Sequence, residues 1–589
     1  VDEDHFYWKR IAAARNGNRN PYPNAAKMNI SVDMTRLEQN SDRKVYIRVY
    51  LRARATGTAN ADHHLGLYLN NIPYMIAEKV FTEDTPTVVT FEVNHNYFFD
   101  GVNTIRLLNL ADMVPADNWD QMDIDRLEVE FEGIRQAIGD IADLTNRYKD
   151  HSITVSGFAG TDVVAYDVSK QSRRVSILDN VVWSVSGGLN DATFATIDNA
   201  DHDMGTHYIL IRDGEYRVPT SLLLQEGVYL PLKSAGQGAD LIIIGPKALL
   251  GYTEALVNVR EGDGLRVVSA SLEQIYAEFS DGLATSQSVR DFVLFAYSNW
   301  TLPKPKYLLI VGDATYDPMD YYNLNRVDEK LMTPLPMVSG THIDFGSDNY
   351  FVANPSGGDV PLMAVGRIPT SDPALLQGYI NKLLAYEAGT AAPSGVSNLR
   401  RATFISDRSS MGDNFSKGVD ELTASLGSVR PDYVSTKINR ESMSDVAMKQ
   451  EIIDEFASAP FFMTYLGHGA EERWMSDTMG DPVFGIDEAK ALTNSRLPVV
   501  IALNCMNSYF YDKDPDPSWN GLGEELILNA NGGAIAFWGS TAMTAPGSQK
   551  RLATSFINEF SNETTLAVEA VRLGDILSRA KQTMGADAS

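Results

Sequence analysis

Cysteine is almost absent: the 589-residue chain carries one, Cys505. A single thiol excludes any disulfide within the chain, so packing and hydrogen bonds must hold the fold, and the redox compartment stays open. Histidine is scarce in the second half, where only His342 and His468 of the nine lie beyond residue 236. Long apolar runs are missing too. No stretch reaches eighteen residues, which leaves no candidate for a membrane-spanning helix. Basic residues fall short of acidic ones, 50 against 77, for a net charge of −27. That balance disfavours nucleic acid and anionic membrane surfaces as partners, and it suits an extracellular, calcium-rich or saline medium. Fixed-period repeats and low-complexity tracts are lacking. Residue 1 is Val, with no initiator methionine and no signal-type segment, as expected of a processed or excised fragment.

What is present suffices for globular packing, with 44% apolar and 10% aromatic residues. At about 150 residues per domain, the length implies three or four units. Residues 1–135 read as an all-β sandwich, because Lys44–Arg52, Val88–Val93 and Leu127–Phe131 alternate apolar and polar side chains. Asn70-Asn71 and Asp100-Gly101 supply turns between such runs. Asp123, Asp125, His63 and His64 read there as solvated loop residues, ahead of a carbohydrate or metal role. Residues 136–235 read as a connector and a small β-rich module, with a helical look from Gly133 to Arg147.

From residue 236 the period changes. The runs Asp240–Gly245, Tyr307–Asp313, Ala402–Asp407, Phe461–Leu466, Leu497–Cys505 and Gly533–Gly539 are continuous and apolar, as strands buried on both faces require. Amphipathic stretches separate most of them: Ser286–Trp300, Pro373–Tyr386, Asn414–Leu426, Ser444–Ala457 and Leu522–Ala530. Strands alternating with helices predict an α/β domain with a mostly parallel sheet.

Two of these runs end in reactive side chains. Cys505 closes one, and a Gly467-His468-Gly469 turn closes another, so both groups are expected where neighbouring strands end and ligands bind. A thiol attacking an amide must be partly thiolate, and a nearby imidazole both draws off its proton and later protonates the leaving amine. An oriented carboxylate can hold the imidazole, and a turn between glycines can aim a backbone N–H at the developing oxyanion.

The pattern resembles the gingipain family of cysteine peptidases, which share the fold of caspases, legumain and separase. The resemblance is carried by Tyr465-Leu-Gly-His-Gly-Ala-Glu-Glu-Arg-Trp474, Leu492-Thr-Asn-Ser-Arg-Leu-Pro498, Ala502-Leu-Asn-Cys-Met-Asn507, Gly523-Glu-Glu-Leu526 and Gly533-Ala-Ile-Ala-Phe-Trp-Gly-Ser-Thr541. Upstream, Tyr307–Asp313, Ser347-Asp-Asn-Tyr350, Val365-Gly-Arg-Ile368 and Lys382 through Glu387 resemble the non-catalytic half-domain. The resemblance implies a caspase-like domain in two halves, 236–390 and 391–589, and a secreted or surface cysteine endopeptidase acting on protein or peptide substrates. It implies Cys505 as nucleophile, His468 as general acid and base, and Gly469 and Cys505 as backbone oxyanion donors. Asp407 takes the place of the acid supporting the histidine, with Asp413 as the competitor. Trp538, Met543 and Trp474 are candidate walls for the residue before the scissile bond.

Some features depart from the family. Arginine-specific members carry a second acid where this chain reads Phe415-Ser-Lys-Gly418, and the usual Gly-Asp-Pro block near the end is missing. The chemistry itself needs no cofactor. Asp512, Asp514 and Asp516 alternate as in oxygen-rich calcium loops, although Pro517 stands where glycine is wanted; Asp313 and Asp348, with Asp317, form a second candidate calcium set. Two other functions remain open at this point: a sortase-like transpeptidase of the same fold, and a catalytically silent adhesion or scaffold protein.

Overall fold

The computed structural model describes residues 9–14, 26–55, 63–82, 86–114, 119–146, 150–169, 175–196, 206–218, 231–234, 236–315, 333–335, 337–339, 344–356, 358, 360–389, 400–409, 412–474, 482–511, 520–562 and 572–584. The chain divides into two compact units, Phe6–Glu226 and Gly227–Ser589.

The first unit begins with a sandwich of two four-stranded antiparallel sheets. One runs Lys9–Ala14, Trp119–Glu130, Lys44–Ala55, Thr87–Asn94; the other runs Lys27–Asp33, Val102–Asn109, His63–Leu69, Ala77–Phe81. Alternation explains the arrangement: Val45, Ile47, Val49, Leu51 and Ala53 all point into a core shared with Leu65, Leu67, Phe91 and Ile105. The chain reverses at Asn70 and Gly101, whose φ values of 49° and 120° suit turn residues.

His63, His64 and Asp123 are not loop residues. They lie on strands and are buried, because each has a partner: Asp120 Oδ1 lies 2.7 Å from His63 Nδ1, Asp112 Oδ1 2.8 Å from His64 Nδ1, and Arg10 Nε 2.6 Å from Asp123. Asp125 also lies on a strand, paired with Arg126.

The helical connector expected after Gly133 does not form. Gly139 and Asp140 adopt φ of 53° and 59°, which ends any helix, and Ile141–Asn146 is a strand. That strand joins a second β module of two sheets, one ordered Ser152–Phe158, Leu189–Ala195, Val182–Ser186, the other Ser176–Leu178, Val163–Asp167, Thr206–Arg212, Ile141–Asn146.

Among the described residues, the second unit holds two larger all-parallel sheets, of four and five strands. The first is ordered Val267–Ser271, Leu241–Gly245, Tyr307–Val311, Ala364–Ile368, and the second Val434–Asn439, Arg401–Ser406, Phe462–Leu466, Val499–Leu503, Ala536–Gly539. Every residue of Leu241–Gly245, Phe462–Leu466 and Val499–Leu503 is buried, as a sheet covered on both faces demands. Helices begin at predictable caps: the side chains of Asn414 and Ser444 accept from Lys417 N and Ala447 N.

The two halves of this unit are joined by polar contacts. Lys382, on the helix Pro373–Glu387, donates to the carbonyls of Ile527, Asn529 and Gly532 at 2.7–3.0 Å, closing the C-terminal end of the helix Leu522–Leu528. Burial pushes its amine down to about 7, while the carbonyls and the negative helix end favour the charged form. The helix Leu573–Met584 crosses back to the first half, where Asp575 accepts from the Tyr307 hydroxyl at 2.9 Å.

Candidate active site

Strand register brings the reactive segments to one sheet edge. Ser406 lies opposite Leu466, and Leu466 opposite Leu503. Asp407 therefore emerges one residue beyond the paired ladder, and His468 and Cys505 two residues beyond, on adjacent strands about 4.8 Å apart. Backbone bonds continue the alignment, from Asp407 N to Leu466 O at 3.0 Å and from Gly467 N to Leu503 O at 3.3 Å.

The glycines flanking His468 are there for space. A Cβ on Gly467 would stand 2.4 Å from Asp407 Cβ and 2.5 Å from the Tyr465 hydroxyl. One on Gly469 would stand 2.0 Å from Asn504 Nδ2 and 2.9 Å from Cys505 O, so the histidine turn lies directly against the cysteine segment. Tyr465 adds a clamp, donating from its hydroxyl to His468 O at 2.8 Å.

Asp407 is buried at 1% exposure and reaches His468 through the main chain: Oδ2 accepts the His468 N–H at 3.1 Å. Its Oδ1 takes Arg440 Nη1 and the Arg408 N–H, both at 2.7 Å. The carboxylate thus fixes the turn that carries the imidazole. Phe415, buried at the start of the helix Phe415–Val429, meets the imidazole edge-on with ring centroids 5.1 Å apart. Sequence reasoning missed Arg440 altogether, since no local pattern couples it to a carboxylate 33 positions away.

Cys505 is half-buried, and its sulfur faces Thr544: the Thr544 N–H lies 3.4 Å from Sγ, and Sγ lies 3.7 Å from the Thr544 carbonyl oxygen. Thr544 lies two residues ahead of the helix Pro546–Asn562. Met506 has a φ of 62°, unusual outside glycine, and it redirects the chain just after the thiol. Among the described residues no acceptor takes the Cys505 N–H, as an oxyanion donor requires. The Asn504 and Asn507 side chains, both buried, tie this bend to the histidine turn, the latter donating to Ala470 O and to Arg473 O.

The family model of peptidase family C25 matches residues 234–588, more than half of the chain. The chain belongs to peptidase family C25. It is a cysteine peptidase of the gingipain family, and in sequence its α/β domain with parallel sheets follows an antiparallel β region. Similar solved structures include the complex of Porphyromonas gingivalis RgpB pro- and mature domains, at 20% identity and a TM-score of 0.45, covering 58% of this chain and 73% of that one. The Arg-specific cysteine proteinase gingipain R is similar at 20% identity and 0.45, covering 60% and 74%. Dimeric latent PorU from Porphyromonas gingivalis is similar at 17% identity and 0.44, covering 62% and 36%. No curated protein matches the chain.

The other residues singled out in this C25 peptidase fare differently. Trp474 cannot wall an open pocket: it is wholly buried, stacked on Tyr465 with centroids 4.5 Å apart and tilted on Phe484. Its size and apolar faces made it core. Met543 is 63% exposed next to Thr544, and Trp538 is half-buried on the neighbouring strand against Phe556. In the stretch Phe415-Ser-Lys-Gly418, a Cβ on Gly418 would sit 2.5 Å from Leu466 Cδ2.

Asp348 is taken up by Arg367, whose Nη2 and Nε lie 2.6 and 2.8 Å from its two oxygens, and Asp313 accepts from the Ser371 N–H and hydroxyl. A guanidinium in that position opposes a calcium ion, and no group of three metal-ligating side chains forms among the described residues. Asp512, Asp514, Asp516, Asp317 and His342 lie outside the described residues. Asp413 is half-buried just ahead of the helix capped by Asn414.

The crowding at Gly469 has a measurable consequence. Gly469→Ala must displace Asn504 or the turn, and a shift near 1 Å costs on the order of 100-fold in rate. The kcat/KM for peptide cleavage is expected to fall by about that factor with the circular dichroism spectrum unchanged. A variant within threefold of the parent would contradict the close packing of the two segments.

Proposed function

We propose that this peptidase is a secreted or surface endopeptidase working through Cys505 and His468. The observation that carries the reading is the register of three parallel strands, which delivers the thiol and the imidazole to adjacent positions on one sheet edge. Cys505 thiolate attacks the peptide carbonyl carbon, and the oxyanion is met by the Cys505 and Gly469 N–H groups. The C–N bond then breaks as imidazolium His468 gives its proton to the leaving amine, leaving a thioester. Water, deprotonated by His468, attacks that thioester and releases the carboxylate and the thiolate. No step needs a cofactor. Asp407 acts on the turn rather than on the reacting atoms.

Support for an extracellular setting comes from the net charge of −27. The stretch Phe415-Ser-Lys-Gly418 carries no acid, so it gives no ground for arginine preference.

A proteome-derived peptide library tests the reading. New ends from internal cuts, produced by the parent chain and blocked by a thiol-directed inhibitor, are expected. Products ligated to an added amine in place of water would instead identify a transpeptidase, and an uncleaved library with an unlabelled thiol would end the enzymatic reading. An activating cut, made beforehand by limited proteolysis, removes latency as an explanation.

A further inference from the structure

The carbonyl preceding the nucleophile is held as firmly as the sulfur. Asn504 O, at the end of the strand Val499–Leu503, accepts from Gln549 Nε2 at 2.6 Å and from Thr544 Oγ1 at 3.3 Å. The same Nε2 also reaches Thr544 Oγ1. Gln549 is 8% exposed, in the first turn of the helix Pro546–Asn562, and its own N–H bonds Ala545 O at 3.2 Å. A carbonyl oxygen can only accept, so the amide must present its nitrogen, and both hydrogens of that nitrogen are committed.

Thr544 is the residue whose N–H meets the Cys505 sulfur at 3.4 Å. One side-chain amide therefore fixes both sides of the thiol, the strand end that carries it and the loop that donates to it. Neither contact belongs to the histidine turn, and the Thr544 hydroxyl adds a second link between the same two segments.

We propose that Gln549 is a positioning residue for the nucleophile, holding Sγ against the Thr544 N–H and in line for attack. The proposal rests on the reading of Cys505 as nucleophile. Gln549 hydrogen-bonds neither the sulfur nor the imidazole, so its loss moves the reacting atom without removing a hydrogen bond to it. That predicts an effect on kcat rather than on KM.

Gln549→Met keeps the length of the side chain and removes both donors; Gln549→Glu keeps the shape and does the same near neutral pH. Both are expected to lower kcat by about 10- to 100-fold with KM within about twofold, since a displacement below 1 Å suffices. Iodoacetamide alkylation of Cys505, measured at one fixed pH, is expected to slow by about 10-fold in each, with the melting temperature within a few degrees of the parent. Thr544→Ser keeps the hydroxyl and is expected to alkylate faster than Thr544→Val, which is expected to follow Gln549→Met.

Unchanged kcat and alkylation in a folded Gln549→Met chain would overturn the proposal. Should that variant fail to fold, equal alkylation rates in Thr544→Ser and Thr544→Val would overturn it instead. Alkylation needs no proteolysis, so a parent chain that cleaves nothing defeats the peptidase reading separately, while the alkylation rates still decide the role of Gln549.

Discussion

Cys505→Ala is expected to abolish peptide cleavage, with a loss on the order of 10⁴-fold or more, because no other group in the site can form the acyl intermediate. The experiment is unusually clean here. Cys505 is the sole cysteine in 589 residues, so a thiol-directed probe labels the parent once and the variant not at all. Stability should hardly change. The thiol is only half-buried, its one donor is the Thr544 N–H at 3.4 Å, and replacing it by a methyl leaves no large cavity, so the cost stays near 1 kcal/mol. Mass-spectrometric labelling, peptide turnover and a thermal melt check the three parts. Turnover retained in the variant would mean that another residue performs the chemistry.

The strands that carry this site were legible because they are buried on both faces. Phe462–Leu466 and Val499–Leu503 read as unbroken apolar runs, and their polar ends announced the edge. Two edge strands were not legible. Val434–Asn439 has one buried residue in six and Val267–Ser271 two in five, so neither carries an apolar run. The helices Pro546–Asn562 and Leu573–Met584 were missed as well, although Pro546 at a helix start is a readable signal.

The misread connector shows the opposite failure. Ile134, Ala137, Ile138 and Ile141 have helical spacing, but Ile134 and Ile138 stay 43% and 58% exposed because two residues of positive φ break the segment. Polar partners far apart in sequence were invisible altogether. His63 read as a loop residue because its partner Asp120 is 57 positions away. Trp474 read as a pocket wall because nothing local shows Tyr465 and Phe484 covering its faces.

Arg440 is the largest such omission, and its removal should have the largest effect on stability. Its guanidinium is 1% exposed and joins Asp407, 2.7 Å away, to Asp445, whose two oxygens lie 2.9 Å from Nε and Nη2. Arg440→Met preserves volume but strands the Asp407 carboxylate in the interior, which costs about 3–5 kcal/mol when one partner of a buried pair is lost. Asp407 also accepts the His468 N–H, so a carboxylate seeking new partners drags the histidine turn with it. Lower kcat/KM is therefore expected together with the lower melting temperature, and adding Asp407→Asn should restore part of the stability by removing the buried charge.

The pH dependence follows from Asp445. Hydrogen bonding to Arg440 holds its carboxyl below the ordinary 3.8, so the folded state binds the proton less readily than the unfolded one. That contribution is fully present above 3.8 and fades as pH falls through the lowered folded value. The stability gap between parent and Arg440→Met should accordingly narrow in acid, from its full size at pH near 7 to less below about 4. Urea unfolding across that range reads it directly; a gap that widened in acid, or none at neutrality, would leave the Asp407–Arg440–Asp445 chain without its assigned role.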